Sequence, residues 1–216
     1  DAQQVGAAGA AIAAMQGPSG ALLWFPGGET DPGDRIEAAM GLAVTGFSDE
    51  ARAAYRWSAC TQRPDGSWPI EFQQGRVVDA NIDSNFCAYI AVGVWHHHLV
   101  TGDSGFLAAM WPTVRAAIDL VCRFQRDDGA FRWAADAQTS AMFDEALLTG
   151  NASIGHSLDC AVQIAEAVAA DGCATRWSAA QGRLARAFSV AFSDVGGTAN
   201  GVVPGVFAEP SSHSMD

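Results

Sequence analysis

The amino-acid sequence predicts an all-α protein, an incomplete α/α toroid of about three and a half helix hairpins. Three observations support this fold class: a turn motif that recurs three times, short glycine turns that alternate with it, and Ala-rich runs between them. Of the 216 residues, 49% are hydrophobic and only 17% are charged. That balance excludes a disordered chain and suffices for one buried core. We therefore expect a single domain over 1–216, truncated on its C-terminal side.

The recurring turn motif is Gln-x-x-x-Gly followed by a small residue, and each copy ends an Ala-rich helical stretch. Its Gly, Pro and Asp residues are typical of turns. Repeats of about 45–60 residues that each hold a helix pair indicate a helical array. The three copies are Gln16–Gly20, Gln62–Gly66 and Gln125–Gly129.

The short turns at Val44–Ser48 and Val100–Ser104 each connect two helical runs. In both, we expect Gly to be the left-handed residue after one helix and Ser to cap the next. Long links at 17–33, 63–82 and 127–147 then connect one hairpin to the next, and a tail covers 193–216. The expected helices are 2–16, 34–45, 49–62, 83–101, 105–126, 148–170 and 174–192.

The two helices of each hairpin differ in composition. Arg residues concentrate on the second helices, whereas the first helices are apolar around most of their circumference, which indicates burial. The first helices should therefore form an inner ring, with the long links emerging together at one mouth. We expect Ile90, Val94 and Ala161 to be buried and Arg52, Arg56, Arg183 and Arg186 to be exposed.

The three long links bring tryptophans and carboxylates to this mouth. Trp rings stack on pyranose faces, and carboxylates bind hydroxyls or transfer protons, so the pattern predicts a carbohydrate or other small-molecule ligand. Structural roles are the alternatives: capping at Asp34 and Asp83, packing of the links by the Trp residues, and a core position for His156. The candidates are Trp24, Asp31, Asp34, Trp68, Asp79, Asp83, Trp133, Glu145 and His156, with Glu209, His213 and Asp216 in the tail.

Charge and cysteine usage exclude other classes. The net charge is −12 and every basic residue is Arg, so we expect neither nucleic acid nor a membrane as partner. Five cysteines without a C-x-x-C pair do not indicate a disulfide framework, and a cytoplasmic location is expected. The sequence contains no motif for a cofactor. The consecutive His96, His97 and His98 point in different directions on a helix, so we expect no metal site there either.

Two stretches resemble the six-hairpin glycosidases. Leu99–Leu107 with Met110–Asp119 looks like their TGD…FL…WP hairpin, and Asp34–Leu42 with Gln62–Gly66 looks like their glucoamylase-type hairpin. The resemblance implies an (α/α)6 toroid and an inverting glycoside hydrolase. This chain departs from that pattern, because it shows about three and a half hairpins and lacks the late ones that supply one catalytic carboxylate.

The resemblance implies a role for each candidate residue. An inverting enzyme places its acid and its base on opposite sides of the scissile bond. We expect Glu145 as the general acid, with a pKa raised by burial. Asp83 or Asp34 would be the base, because a helix start favours the ionised form. The substrate-binding residues would be Trp24, Trp68 and Trp133 as stacking platforms, with Asp31, Asp79 and His156.

Two other functions stay open. Gln62–Trp68 also resembles the Gln-Trp repeat of terpene cyclases and of bacterial prenyltransferase-like toroids, which implies a terpenoid or prenyl ligand. The acidic Asp-x-Asp-Asp motif of cyclases is missing from the sequence, which counts against that alternative. The third hypothesis is a non-catalytic scaffold, whose open ring edge would recruit a partner or a second copy of the chain.

Overall fold

The structure, a computed structural model, describes residues 1–193 and Phe207. The predicted tail candidates Glu209, His213 and Asp216 lie outside the described residues. Eight helices lie within the described part: α1 Ala2–Ala14, α2 Pro32–Val44, α3 Ser48–Thr61, α4 Ser84–Ala88, α5 Ile90–Thr101, α6 Ser104–Cys122, α7 Leu148–Ala167 and α8 Asp171–Ser193.

The helices pair as predicted. The hairpins are α2–α3, α5–α6 and α7–α8, and α1 packs on α2. Helices α2, α5 and α7 also contact one another in sequence, which makes them the inner layer. The predicted helix over 83–101 is two helices, since α4 ends before Tyr89 and α5 begins after it. The prediction of a partial helical toroid is thereby confirmed.

The long links contain short strands, which the all-α prediction missed. These are β1 Glu29–Thr30, β2 Glu71–Gln73, β3 Arg76–Asp79, β4 Ile82–Asp83 and β5 Ala134–Ala135. Strands β1, β2 and β3 form an antiparallel sheet between the first and second links. Strands β4 and β5 pair antiparallel and join the second link to the third.

Burial follows the predicted inner and outer layers. Ile90, Val94 and Ala161 are buried, and Arg56, Arg183 and Arg186 are exposed. Arg52 is half-buried instead, because its Nη2 donates to Asp103 Oδ2 at 2.6 Å across to the α5–α6 turn. The composition of the two helices of each hairpin therefore predicts their layer.

Helix α6 has the length and apolarity of a membrane-spanning helix, and half of its most apolar window is buried inside the protein. It packs on α4, α5, α7 and α8. Its apolar side chains pack into the core of the fold. The buried ones include Met110, Val114, Ile118 and Val121.

The repeated Gln-x-x-x-Gly motif forms three equivalent turns, which we call the Gln clasps. In each clasp the Gln Nε2 donates to the carbonyl oxygen of its own Gly and to a carbonyl of an outer helix. For Gln62 the acceptors are Gly66 O and Thr113 O, both at 3.0 Å. Gln16 bonds Gly20 O and Glu50 O, and Gln125 bonds Gly129 O and Ala180 O.

In each clasp, the glycine packs against the outer helix that accepts the hydrogen bond from the glutamine of that clasp. Gly66 has φ +96°, and an added Cβ would lie 2.2 Å from Ala116 O. Gly20 and Gly129 have the same left-handed backbone and the same close approach, to Ala53 O and Arg183 O. Only glycine combines that backbone with that distance, so the motif is a structural joint between hairpins.

Candidate functional site

The three long links meet at the amino ends of the inner helices, as predicted. Strand pairing β1–β2 ties the first link to the second, and β4–β5 ties the second to the third. The Ser84 amide donates to Trp133 O at 2.8 Å, and the Trp133 amide donates to Glu145 O at 3.0 Å. Candidate residues from separate links are therefore neighbours at one mouth.

Asp31 is the N-cap of α2. Its Oδ1 accepts from the Asp34 amide at 2.8 Å, and its Oδ2 accepts from Trp24 Nε1 at 3.0 Å. Pro32 occupies the first helical position, where its missing N–H costs nothing. The expected cap at Asp34 is therefore wrong, since the helix begins earlier. Asp31 is buried, and its bond to Trp24 orients an indole that is itself 55% exposed.

Asp83 is the N-cap of α4 and accepts from the Asn85 and Phe86 amides at 2.8 and 3.1 Å. Burial raises its pKa to about 6, against the lowering effect of these two bonds, and the charge of Asp31 adds to the rise. The helix start favours the ionised form of Asp83, as expected, but its two amide bonds do not offset the desolvation, and the predicted role as base stays a prediction. Desolvation outweighs the two amide bonds, so Asp83 ionises at a higher pH than an ordinary Asp and carries a proton in about half of the molecules at pH 6.

Asp34 lies on the first turn of α2 with its side chain exposed. Partial desolvation raises its pKa, and the charges of Asp31 and Glu37 raise it further. This repulsion indicates that Asp34 shares one acidic region with the buried Asp31. The Glu37 carboxylate accepts a hydrogen bond from the Tyr89 hydroxyl at 3.2 Å, one turn farther along the inner face.

Glu145 lies in the third link and is exposed. The burial that we predicted for it is therefore wrong. Its assignment as general acid depended on that burial, which was expected to raise its pKa. Asp79 serves a turn, because its Oδ1 accepts from the Asn81 amide at 2.9 Å. Its predicted contact with substrate stays a prediction.

The three tryptophans differ. Trp68 is 2% exposed and donates from Nε1 to Ser58 O at 2.8 Å, so it presents no face to a ligand. The prediction of a stacking platform there is wrong, since the Gln clasp before it directs the ring into the core. Trp133 is half-buried and stacks on Phe143 with ring centres 5.5 Å apart. Trp24 is open, and Phe25 beside it is 52% exposed.

His156 lies deeper along the inner face. It is exposed on α7, where its Nε2 is 3.8 Å from Cys160 Sγ, and it lines a mostly apolar hollow of about 290 Å³ with Met40, Trp95 and Leu99. A core position for His156 is therefore excluded. Its predicted contact with substrate stays a prediction.

The structure adds a site residue that the sequence analysis missed. Asn85 lines a hollow of about 100 Å³ between the starts of α4 and α7, together with Asp83, Trp133 and Thr149. Its Oδ1 is buried and has no hydrogen-bond partner among residues 1–193 and Phe207. The sequence signal was weak, because Asn85 resembles any polar residue on the first turn of a helix.

Most of this chain is similar in sequence to one half of a known mannosidase. No protein-family model matches this chain. Over 179 residues it is 52% identical to the MMP endo-(1,4)-3-O-methyl-alpha-D-mannosidase of Mycolicibacterium hassiacum. The match covers 83% of this chain and 49% of that protein, so the chain spans about half the length of its curated relative. That relative is a mannosidase and not a prenyltransferase.

Solved structures with much lower identity share the fold. D-mannose isomerase matches 90% of this chain and 51% of its own with a TM-score of 0.65 and 9% identity. The unsaturated glucuronyl hydrolase of Bacillus sp. GL1 matches 86% and 55%, with a TM-score of 0.62 and 15% identity. The chain has the fold of about half a six-hairpin toroid.

Proposed function

We propose that this chain forms a carboxylate-bearing half of a toroidal glycoside hydrolase that acts on a partly O-methylated α-mannan. The similarity to an endo-(1,4)-3-O-methyl-α-D-mannosidase supports the substrate class. The observation that carries the proposal is Asp83, a carboxyl group with a pKa of about 6 in a hollow at the mouth, beside the acidic Asp31. A pKa near the working pH is what proton transfer to a leaving oxygen needs.

The structure favours a change in the assignment of roles. In the proposed inverting mechanism Asp83, in place of Glu145, donates the proton to the leaving glycosidic oxygen. Asp34 is the candidate base, because its carboxylate is exposed to water and lies on a different helix, α2. Asp31 positions Trp24 as an open platform for a sugar ring through the 3.0 Å bond to its Nε1.

The test compares wild type with Asp83→Asn on a 3-O-methylated α-1,4-manno-oligosaccharide, using calorimetry for binding and product analysis for hydrolysis. Asn keeps the N-cap and removes the proton, so binding should persist while turnover falls at least about 100-fold. Asp49→Asn, at an exposed position on the outer helix α3, is the matched control and should keep turnover. A wild-type chain that binds no manno-oligosaccharide refutes the proposal, and binding without hydrolysis refutes the catalytic roles.

The Gln62–Trp68 motif no longer supports the terpenoid alternative. Gln62 and Trp68 form a structural clasp and a core side chain, so the resemblance to a Gln-Trp repeat reflects the joint between hairpins. A cytoplasmic location and self-association through the open edge of the ring stay predictions.

A further inference from the structure

The hollow beside Asp83 has the size of one edge of a sugar ring. We call it the Asp83–Asn85 pocket; its volume is about 100 Å³ and it is lined by Asp83, Asn85, Trp133, Leu147, Thr149 and Ile154. This is room for several water molecules, and so for a hydroxyl and a methoxy group on neighbouring ring carbons.

One residue that lines this pocket has a polar atom without a partner in the described part of the chain. Asn85 Oδ1 is buried without a hydrogen bond from any residue that the structure describes. Asn151, in the same wall, shows the usual arrangement: its Oδ1 accepts from the Phe131 amide at 2.7 Å, and its Nδ2 donates to Phe131 O and Leu147 O. A buried acceptor without a donor destabilises the empty pocket, and a ligand with a hydroxyl donor would remove that cost.

Part of the pocket lining is apolar. Leu147 and Ile154 present alkyl groups, and Trp133 is fixed by its stack on Phe143. Gly150 lies beside both Asn85 and Leu147, because an added Cβ would be 3.8 Å from Asn85 Cβ and 3.9 Å from Leu147 Cβ. The pocket therefore combines an unpaired hydrogen-bond acceptor, Asn85 Oδ1, with alkyl groups that suit a methyl ether.

We infer that the Asp83–Asn85 pocket is a sugar subsite that selects a partly O-methylated pyranoside. Asn85 Oδ1 accepts a hydrogen bond from a free ring hydroxyl, and the neighbouring methyl ether packs against Leu147 and Ile154. A methyl ether opposite Asn85 has no proton to donate, so the pocket rejects a sugar that is methylated at that position. This inference rests on the proposed function and identifies Asn85 as a specificity-determining residue within it.

The experiment measures dissociation constants by calorimetry for three α-1,4-mannotetraoses. One carries 3-O-methyl groups only, and the others carry one further methyl ether per residue, at O2 or at O6. Wild type should bind the O2-methylated ligand about tenfold more weakly than the first, the loss of one hydrogen bond, because O2 is the free ring hydroxyl beside the 3-O-methyl group of a 1,4-linked residue. The O6-methylated ligand should bind like the first. Asn85→Leu keeps the side-chain size, should bind the first ligand about tenfold more weakly, and should no longer distinguish it from the O2-methylated ligand.

The outcomes separate the two proposals. A wild-type chain that binds none of the ligands refutes the proposed function and the subsite with it. Binding in which Asn85→Leu discriminates as wild type does overturns the subsite alone, as does equal binding of all three ligands by wild type. Gln3→Leu, an exposed amide change on α1, is the matched control and should bind like wild type. If Asn85→Leu does not fold, Asn85→Ala and the wild-type ligand series carry the same test.

Discussion

The Gln clasps and the Asp83–Asn85 pocket treat buried polar groups in opposite ways. In a clasp, the Gln amide has two carbonyl acceptors and its glycine is packed against a helix. In the pocket, Asn85 Oδ1 has no partner within the described residues, and Asp83 has a raised pKa. The repeated turns thus build a satisfied frame, and the residues between them hold the groups that are available for chemistry.

The largest effect on this contrast should come from a clasp glycine. Gly66→Ala places a Cβ 2.2 Å from Ala116 O at φ +96°, so the free energy of unfolding should fall by about 4 kcal/mol, from backbone strain and overpacking together. Gly75→Ala is the matched control, because φ is +75° but nothing lies within 4 Å of the added Cβ. Urea denaturation measures both, and equal losses would show that the clasp contact contributes nothing.

The next effect concerns Asp83 and pH. Between pH 3.8 and about 6 the unfolded chain ionises this carboxyl while the folded chain keeps its proton. The folded state therefore loses stability as the pH rises through this window, by up to about 3 kcal/mol. Asp83→Asn should remove most of that loss and leave the part due to Asp34, whose pKa is also raised. Urea denaturation at a series of pH values measures it, and an unchanged loss in the variant contradicts the assignment.

A smaller effect is expected from a clasp glutamine. Gln62→Ala removes two hydrogen bonds, to Gly66 O and Thr113 O, and should lower the free energy of unfolding by about 2 kcal/mol. Gln163→Ala, on the exposed face of α7, is the control and should change it by less than about 0.5 kcal/mol. Chemical denaturation decides, and matching values for the two variants would refute a role for the clasp.

The smallest effect on stability should come from His97, a buried histidine among the packed helices. His97 is 0% exposed and packs against the Tyr55 and Phe106 rings. Neither ring nitrogen has a partner in the part of the chain that the structure describes. Burial lowers its pKa, with a contribution from Arg52. Below about pH 6.5 His97 becomes protonated in the unfolded chain but stays neutral in the folded chain. The free energy of unfolding therefore falls as the pH decreases.

The variant for this test is His97→Phe, which keeps the ring packing and removes the titration. It should flatten the loss of stability from pH 6.5 downward, with thermal denaturation as the measurement. His156→Phe, at an exposed position on α7, is the control and should leave the slope as in wild type. A steep slope in His97→Phe would assign the loss to other groups, such as His96, whose pKa burial also lowers.

The hairpin fold follows from local patterns. Turn motifs at Gln16, Gln62 and Gln125 and the contrast between apolar and Arg-bearing helices predicted the pairing of helices and their layers. The strands in the links were not predictable, because β1, β4 and β5 are two residues each and have no period. They exist through pairing between links that are far apart in sequence.

The sequence predicted where the candidate site lies, but not how exposed each of its side chains is. Convergence of the links followed from helix order, whereas the exposure of each side chain did not. Trp24 and Trp68 follow the same motif, yet one is 55% exposed and the other 2%. Glu145 was expected to be buried and is exposed, whereas burial raises the pKa of Asp83, since burial depends on what packs across the mouth.

The sequence by itself determined the helices, their order and the end of the ring at which the links emerge, because periodicity and turn chemistry act over a few residues. Only the tertiary structure decided which carboxyl is desolvated and which amide lacks a partner. Those properties depend on contacts between separate links, such as the β4–β5 pairing beside Asp83. Electrostatic desolvation and hydrogen-bond satisfaction are set by all surrounding atoms, most of which are distant in the chain.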